Sequence, residues 1–152
     1  MATPTTLKQR IETTIRAFLS ALEEGGAQND ASLINRDVTT DCPRYLIPAS
    51  LLQTFGLPVD YTFTPAEFQE TYAKDIKVMT FKNNVIANLV IDTEARRAAF
   101  TSVAEVHPRS GKEAWSYEQA WFMYFTEDGT KVEKVVEFCD KDGLVKMAGE
   151  HA

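Results

Sequence analysis

Glu137 stands in the run Val135-Val136-Glu137-Phe138-Cys139, a carboxylate among apolar neighbours. Such surroundings strip hydration from the ionised form and raise the pKa towards neutrality, where a carboxyl group can both take and give a proton. Glu137 is therefore a candidate base or acid, with a salt bridge to Arg44 as the plainer alternative. The guanidinium fork of Arg44 suits a ligand carbonyl or enolate as well as a carboxylate. Gln119 carries a donor and an acceptor without charge, fitting it to orient a carbonyl or to bond across strands. Trp115, Tyr117 and Trp121 alternate along one strand and form either the wall of an apolar pocket or ordinary core. His107, beside Pro108, is expected at the surface, within reach of a pocket mouth. Asp140 is expected as a cap or surface group, and Cys139 as a small buried apolar residue.

These residues must be positioned by Trp115 to Asp140, which reads as two long antiparallel strands around the turn Glu127-Asp128-Gly129. A three-residue turn closed by a bulge at Gly129 sets Gln119 opposite Glu137 and Tyr117 opposite Cys139. A two-residue turn would shift the pairing by one. In the bulged register Trp115, Tyr117, Gln119, Trp121, Glu133, Val135, Glu137 and Cys139 share one face. Phe122, Tyr124, Val132, Val136 and Phe138 share the other. Both faces are rich in apolar residues, so both are expected to be covered, the outer one by a second copy of the chain.

Earlier in the chain, Thr6 and Gln9 form a capping box for a helix to about Glu24, with Gly25-Gly26 as its stop. A shorter helix starts at Asp30, and Cys42 to Pro48, containing Leu46, reads as an edge strand bounded by prolines. Residues 49–63, which include Phe55, follow neither helical nor strand period and read as a lid over the core or over a ligand. Thr64-Pro65-Ala66-Glu67 opens a helix with Phe68, Tyr72 and Ile76 on one stripe. Val85 to Ile91 and Ala98 to His107 read as strands, the second placing Thr101, Val103, Glu105 and His107 on the face of Trp115 and Tyr117. The tail beyond Lys141 is expected to fray. Helices followed by sequential strands give an α+β arrangement, with a curved antiparallel sheet and helices enclosing a pocket.

The chain of 152 residues is 44% hydrophobic and 25% charged, and residues 1–152 are expected to form a single domain. Its net charge of −6 comes without a basic stripe, which argues against nucleic acid as partner. No apolar run is long enough for a membrane span, and MATPTTLKQR lacks the apolar core of a secretory signal. Cys42 and Cys139 show no metal or redox spacing, so a cytoplasmic setting is expected, with no metal and no cofactor.

The element order, the Asp41-Cys42…Leu46-Ile47-Pro48-Ala49-Ser50-Leu51 segment and the ending Trp121…Phe125-Thr126-Glu127-Asp128-Gly129-Thr130-Lys131-Val132…Val136-Glu137-Phe138-Cys139-Asp140 resemble the NTF2-like, SnoaL-like superfamily. Within it the chain is most similar to the fungal isomerases and cyclases of meroterpenoid, polyketide and indole-alkaloid biosynthesis. The resemblance implies a cone-shaped barrel, usually dimeric, that binds a hydrophobic polycycle and performs cofactor-free acid-base chemistry. It also implies pocket-lining roles for Arg44 and Glu137. Trp115 and Gln119 occupy the positions of the relatives' tyrosines, and neither can supply a phenolic proton. A phenolic acid would then have to be Tyr117. Leu46, Phe55, Tyr72, Val103 and His107 join Trp115 and Trp121 as expected substrate contacts. An isomerase or cyclase is the resulting expectation. A dehydratase of this fold, for which paired histidines are missing, and a non-catalytic binding module are the alternatives.

Overall fold

In the computed structural model, which describes residues 5–152, Thr6 caps helix α1 (Leu7–Gln28) through the expected reciprocal box with Gln9. Met1 to Pro4, part of the segment read for a secretory signal, lie outside the described residues. Ile11, Ile15, Phe18 and Leu19 form the buried stripe of α1, each worth about 1.5–3 kcal/mol of transfer free energy. The helix does not stop at Gly25-Gly26 but continues to Asn29, which ends it in the left-handed conformation at φ 53°. Gly25 serves close approach instead: a Cβ there would lie 2.4 Å from the Tyr72 hydroxyl oxygen. That hydroxyl donates to the Leu22 carbonyl at 2.5 Å, tying α1 to a later helix.

A 3₁₀ helix (Ala31–Asn35), capped by Asp30 as expected, leads to strand β1 (Arg44–Ile47). Residues 49–63 are not an irregular lid. They form helix α2 (Ala49–Thr54), anchored by buried Leu51 and Leu52, then a turn and the short strand β2 (Thr62–Phe63). Helix α3 (Pro65–Val78) has the Thr64–Glu67 capping box. Strands β3 (Met79–Asp92), β4 (Arg97–Pro108), β5 (Trp115–Phe125) and β6 (Val132–Cys139) follow, and the tail forms helix α4 (Lys141–Gly149) rather than fraying. The Asp140 side chain caps α4 by accepting from the Asp142 amide. β3 starts earlier than Val85 because Asn83 and Asn88, at φ 54° and 58°, sit at two bulges that interrupt its alternation without ending it.

The six strands form one curved, unclosed sheet in the order β2-β1-β6-β5-β4-β3. The sheet is mixed. β1 runs parallel to β6 and is flanked by β2, so it is not the edge strand expected. A strand joined to its neighbour through helices and crossovers need not be antiparallel, as hairpin partners must be. The β5–β6 register differs by two residues from that expected: Gln119 pairs with Cys139 and Trp121 with Glu137, with an irregularity at Tyr124/Phe125. A two-residue shift leaves the faces unchanged along most of the hairpin. Near the bulge it does not, and Val132 is buried while Glu133 is exposed, the reverse of the expectation.

Between β4 and β5 the connection spans 109–114 rather than a tight turn at Pro108, and the pairing slips by one residue. Ser102, Ala104 and Val106 therefore oppose Gln119, Tyr117 and Trp115. Thr101, Val103, Glu105 and His107 point to the other face. The β5–β6 turn docks under α1: the Thr14 hydroxyl donates to the Gly129 carbonyl at 2.7 Å and Arg10 Nε to the Asp128 carbonyl at 2.8 Å. Gly129 has φ 75°, and a Cβ on it would lie 2.9 Å from Leu7, so both backbone and space require glycine. No helix among the described residues is long and apolar enough to cross a membrane.

Candidate active site

The concave face of the sheet, Ile34 of the 3₁₀ helix and the inner faces of α1, α3 and α4 line a predominantly apolar, partly open cavity of about 110 Å³. Glu137 on β6 reaches it from between Val135 and Cys139, and its side chain is nearly fully buried at 6% exposure. Gln119 Nε2 donates to Glu137 Oε2 at 2.6 Å, and the Cys139 thiol donates to the same oxygen at 3.1 Å. Both bonds converge on Oε2. Oε1 has no protein hydrogen-bond partner among the described residues, which leaves one carboxyl oxygen for a ligand. Burial pushes the Glu137 carboxyl above its ordinary range, opposed by the Cys139 and Gln119 bonds and by the Arg44 charge.

Arg44, on the adjoining strand β1, is 2% exposed. Its guanidinium carbon lies 4.1 Å from the Phe68 ring centre and 5.0 Å from that of Phe18, an arrangement favourable for a cation over aromatic faces. Nη2 donates to the Ile34 carbonyl at 3.0 Å, while Nε is buried without a partner. Burial lowers its pKa to about 10, so the side chain remains cationic at neutral pH. Arg44 and Glu137 come no closer than 4.0 Å between charged atoms, and the simple salt bridge is not formed. A cation and a carboxyl group buried on one cavity wall, each with an unused hydrogen-bonding atom, are costly to the fold alone.

Replacing Arg44 by Met and Glu137 by Leu together, which roughly keeps volume and removes both buried ionisable groups, is expected to leave the melting temperature unchanged or higher. The precedent is a gain of up to about 1–4 kcal/mol when buried ion pairs become apolar. Thermal denaturation of the double variant checks this, and a large loss would assign the two groups a structural role.

Trp121 forms the floor of the cavity, stacked on Phe100 at 6.2 Å and edge-on to Phe18 at 5.6 Å, with its indole N–H donated to Ser102 Oγ at 2.8 Å. Tyr117 lines the cavity beside Cys139, and its buried hydroxyl has no hydrogen-bond partner. Burial raises its pKa far above the ordinary phenol range, which keeps it protonated and able to donate. Leu46 and Tyr72 also face the cavity.

The structure thus brings Glu137, Arg44, Gln119, Tyr117, Trp121, Leu46 and Tyr72 to one cavity and leaves four expected contacts outside it. Trp115 packs edge-on against the far side of Tyr117 at 6.3 Å, under Lys146. Phe55 follows α2 and is 43% exposed, away from the cavity. Val103 is 39% exposed on the outer face because of the β4–β5 slip. His107 lies in an open surface groove, 2.9 Å from Glu105 Oε1. Sequence reasoning missed Asp75, Leu144 and Met147, which line the cavity from α3 and α4. Asp75 lies three residues after Tyr72 on the same stripe, and Leu144 and Met147 have helical spacing, so both signals were available. Among the described residues no group of three or more His, Cys, Asp or Glu is arranged to hold a metal ion.

Solved structures superpose on nearly the whole chain. BvnE pinacolase from Penicillium brevicompactum matches with a TM-score of 0.76 at 19% identity, covering 95% of this chain and 96% of its own. PrhC from Penicillium brasilianum matches with a TM-score of 0.77 at 17% identity, covering 95% and 89% respectively. An NTF2-like protein from Burkholderia pseudomallei gives 0.63 at 10% identity over 91% and 96%. This chain has the NTF2-like fold. No family model matches the sequence, and no curated protein does. At these identities the likeness establishes the architecture of the NTF2-like chain, and its chemistry must be argued from the cavity.

Proposed function

We propose that this NTF2-like protein is a cofactor-independent isomerase or cyclase that moves a proton on a hydrophobic, oxygenated polycyclic intermediate of meroterpenoid, polyketide or alkaloid type. The observation that carries the reading is the pair of buried opposite charges that face one apolar cavity without pairing, Glu137 with Oε1 free and Arg44 with Nε free. In the reaction, Glu137 Oε1 takes a proton from carbon next to a ligand carbonyl. The C–H electron pair passes into the carbonyl, and Arg44 stabilises the resulting enolate oxygen. Glu137 then returns the proton at another position, or the enolate carbon closes a ring by adding to a second carbonyl of the ligand, whose C=O π pair moves to its oxygen, and Glu137 gives the proton to that oxygen. Gln119 and Cys139 hold the carboxyl group in place, and Trp121 with Phe68 supplies apolar walls. The likeness to a protein named a pinacolase supports an isomerase over a carrier.

The test is incubation with a panel of polycyclic ketones and 1,3-dicarbonyls in D₂O, with deuterium incorporation followed by mass spectrometry. Exchange above the buffer rate, or conversion to an isomer of equal mass, is expected for at least one member. A panel with neither outcome, although its members bind, would turn the reading towards a binding module.

The outer face of the sheet is proposed as the interface with a second copy. Phe122 and Phe138 are each 46% exposed there, beside Val103 and the Val85 and Val90 of β3, too apolar a surface for solvent. Analytical ultracentrifugation should give a dimer for the natural chain and a monomer for Phe122→Glu/Phe138→Glu. A natural chain that sediments as a monomer would overturn this assignment.

A further inference from the structure

A cavity of about 110 Å³ is smaller than the roughly 150 Å³ apolar void that takes a single benzene ring. Drug-sized ligands occupy clefts of about 300–1,000 Å³. A polycycle therefore fits wholly inside only if a wall gives way. The sheet wall is held by continuous ladders, and α1 and α3 are joined through the buried Tyr72 hydroxyl on the Leu22 carbonyl. Apart from Ile34 of the 3₁₀ helix, the remaining wall is α4, a helix of nine residues whose buried positions are Gly143 and Met147.

Leu144 and Met147 project from α4 into the cavity. Gly143 lies flat on the Tyr117 ring, where a Cβ would come within 2.5 Å of Tyr117 Cδ2. Besides the packing of Met147 and Leu144 in the core, two side-chain contacts tie this helix to the rest of the fold. Lys146 Nζ sits 4.8 Å from the Trp115 ring centre. His151, just past the helix, places Nε2 2.9 Å from Oδ1 of Asp75, a residue of α3 that itself lines the cavity.

We infer that α4 is the movable wall that sets the size of ligand the cavity accepts, and that the His151–Asp75 contact is the latch holding it closed. The inference rests on the reading of the cavity as a ligand site and adds the device that admits the ligand. Leu144 and Met147 occupy volume that the ligand's rings need, and displacing the helix frees it while the Glu137–Gln119–Arg44 wall stays in place. In a protein whose open form is the minor one, apparent affinity is reduced by the open fraction, so loosening the latch tightens binding.

Two variants separate the effects. His151→Ala removes the latch, and Gly143→Ala forces α4 and the Tyr117 ring apart. Hydrogen exchange of amides 141–150 and the binding of pyrene, followed by its fluorescence, are measured on both variants and on the natural chain. Exchange in α4 is expected to rise at least tenfold in His151→Ala, and pyrene is expected to bind at least tenfold more tightly to both variants. Unchanged exchange in His151→Ala overturns the latch. Faster exchange with unchanged pyrene affinity overturns α4 as the wall that admits ligand. If both rise while Glu137→Gln leaves deuterium incorporation into ketones untouched, α4 stands as the gate and the catalytic reading is what fails.

Discussion

Glu137→Gln is expected to slow deuterium incorporation and turnover by a factor of about 10²–10⁴, the range a positioned general base contributes. The substitution is nearly isosteric, so Gln119 can still bond the remaining carbonyl oxygen and the cavity keeps its shape. What disappears is the basic oxygen at Oε1, which Gln119 and Cys139 leave free by both bonding Oε2. Affinity for an unreactive ligand should change far less than the rate, because the lost group acts on the proton in flight.

Stability should move in the opposite direction. Burial raises the carboxyl pKa above the ordinary glutamate range, so the native state binds the Glu137 proton more tightly than the unfolded chain. The natural protein then loses stability as pH rises from the ordinary carboxylate range through that raised value, and Glu137→Gln lacks this loss. A variant at least as stable as the natural chain near neutral pH, and nearly inactive, is the signature of a group kept for chemistry. Equal activity, or a sharp drop in stability, would make Glu137 a structural residue.

Trp121→Ala is expected to cost about 3–5 kcal/mol of folding stability, a fall in melting temperature on the order of 10 °C for a domain of this size. The indole is 2% exposed and is the point where α1 and the sheet meet, packed between Phe18 and Phe100. Removing it opens a void and strips the buried Ser102 hydroxyl, 1% exposed, of its donor. Chemical denaturation measures the loss. A change below about 1 kcal/mol would mean that the site collapses around the missing ring, outside the range for large-to-small core substitutions.

The contrast between these residues shows what the sequence can carry. Glu137 was legible because a charge in an apolar run is conspicuous, and Gln119 shared its face because side-chain direction survives any register shift of two. Val103 and His107 were misplaced by a slip of one, set by the length of the 109–114 connection, which no residue pattern in the strands encodes. Phe55 looked like a lid residue because residues 49–63 are apolar without period. A helix of six residues buries only Leu51 and Leu52, too few to show one. α4 was hidden by its length and by two glycines, although Asp140 as its cap was readable. The missing Arg44–Glu137 ion pair is a matter of side-chain distance across two strands, and no sequence feature distinguishes it from a formed one.

The central claim is that Glu137, with its carboxyl pKa raised by burial, is the base acting in this cavity. The pH dependence of solvent-deuterium incorporation into a bound polycyclic ketone, compared between the natural chain and Glu137→Gln, tests it most directly. A rate that rises with pH through a midpoint above the ordinary glutamate value in the natural chain, and loses that step in the variant, is the expected result. An identical profile in both proteins would contradict the account.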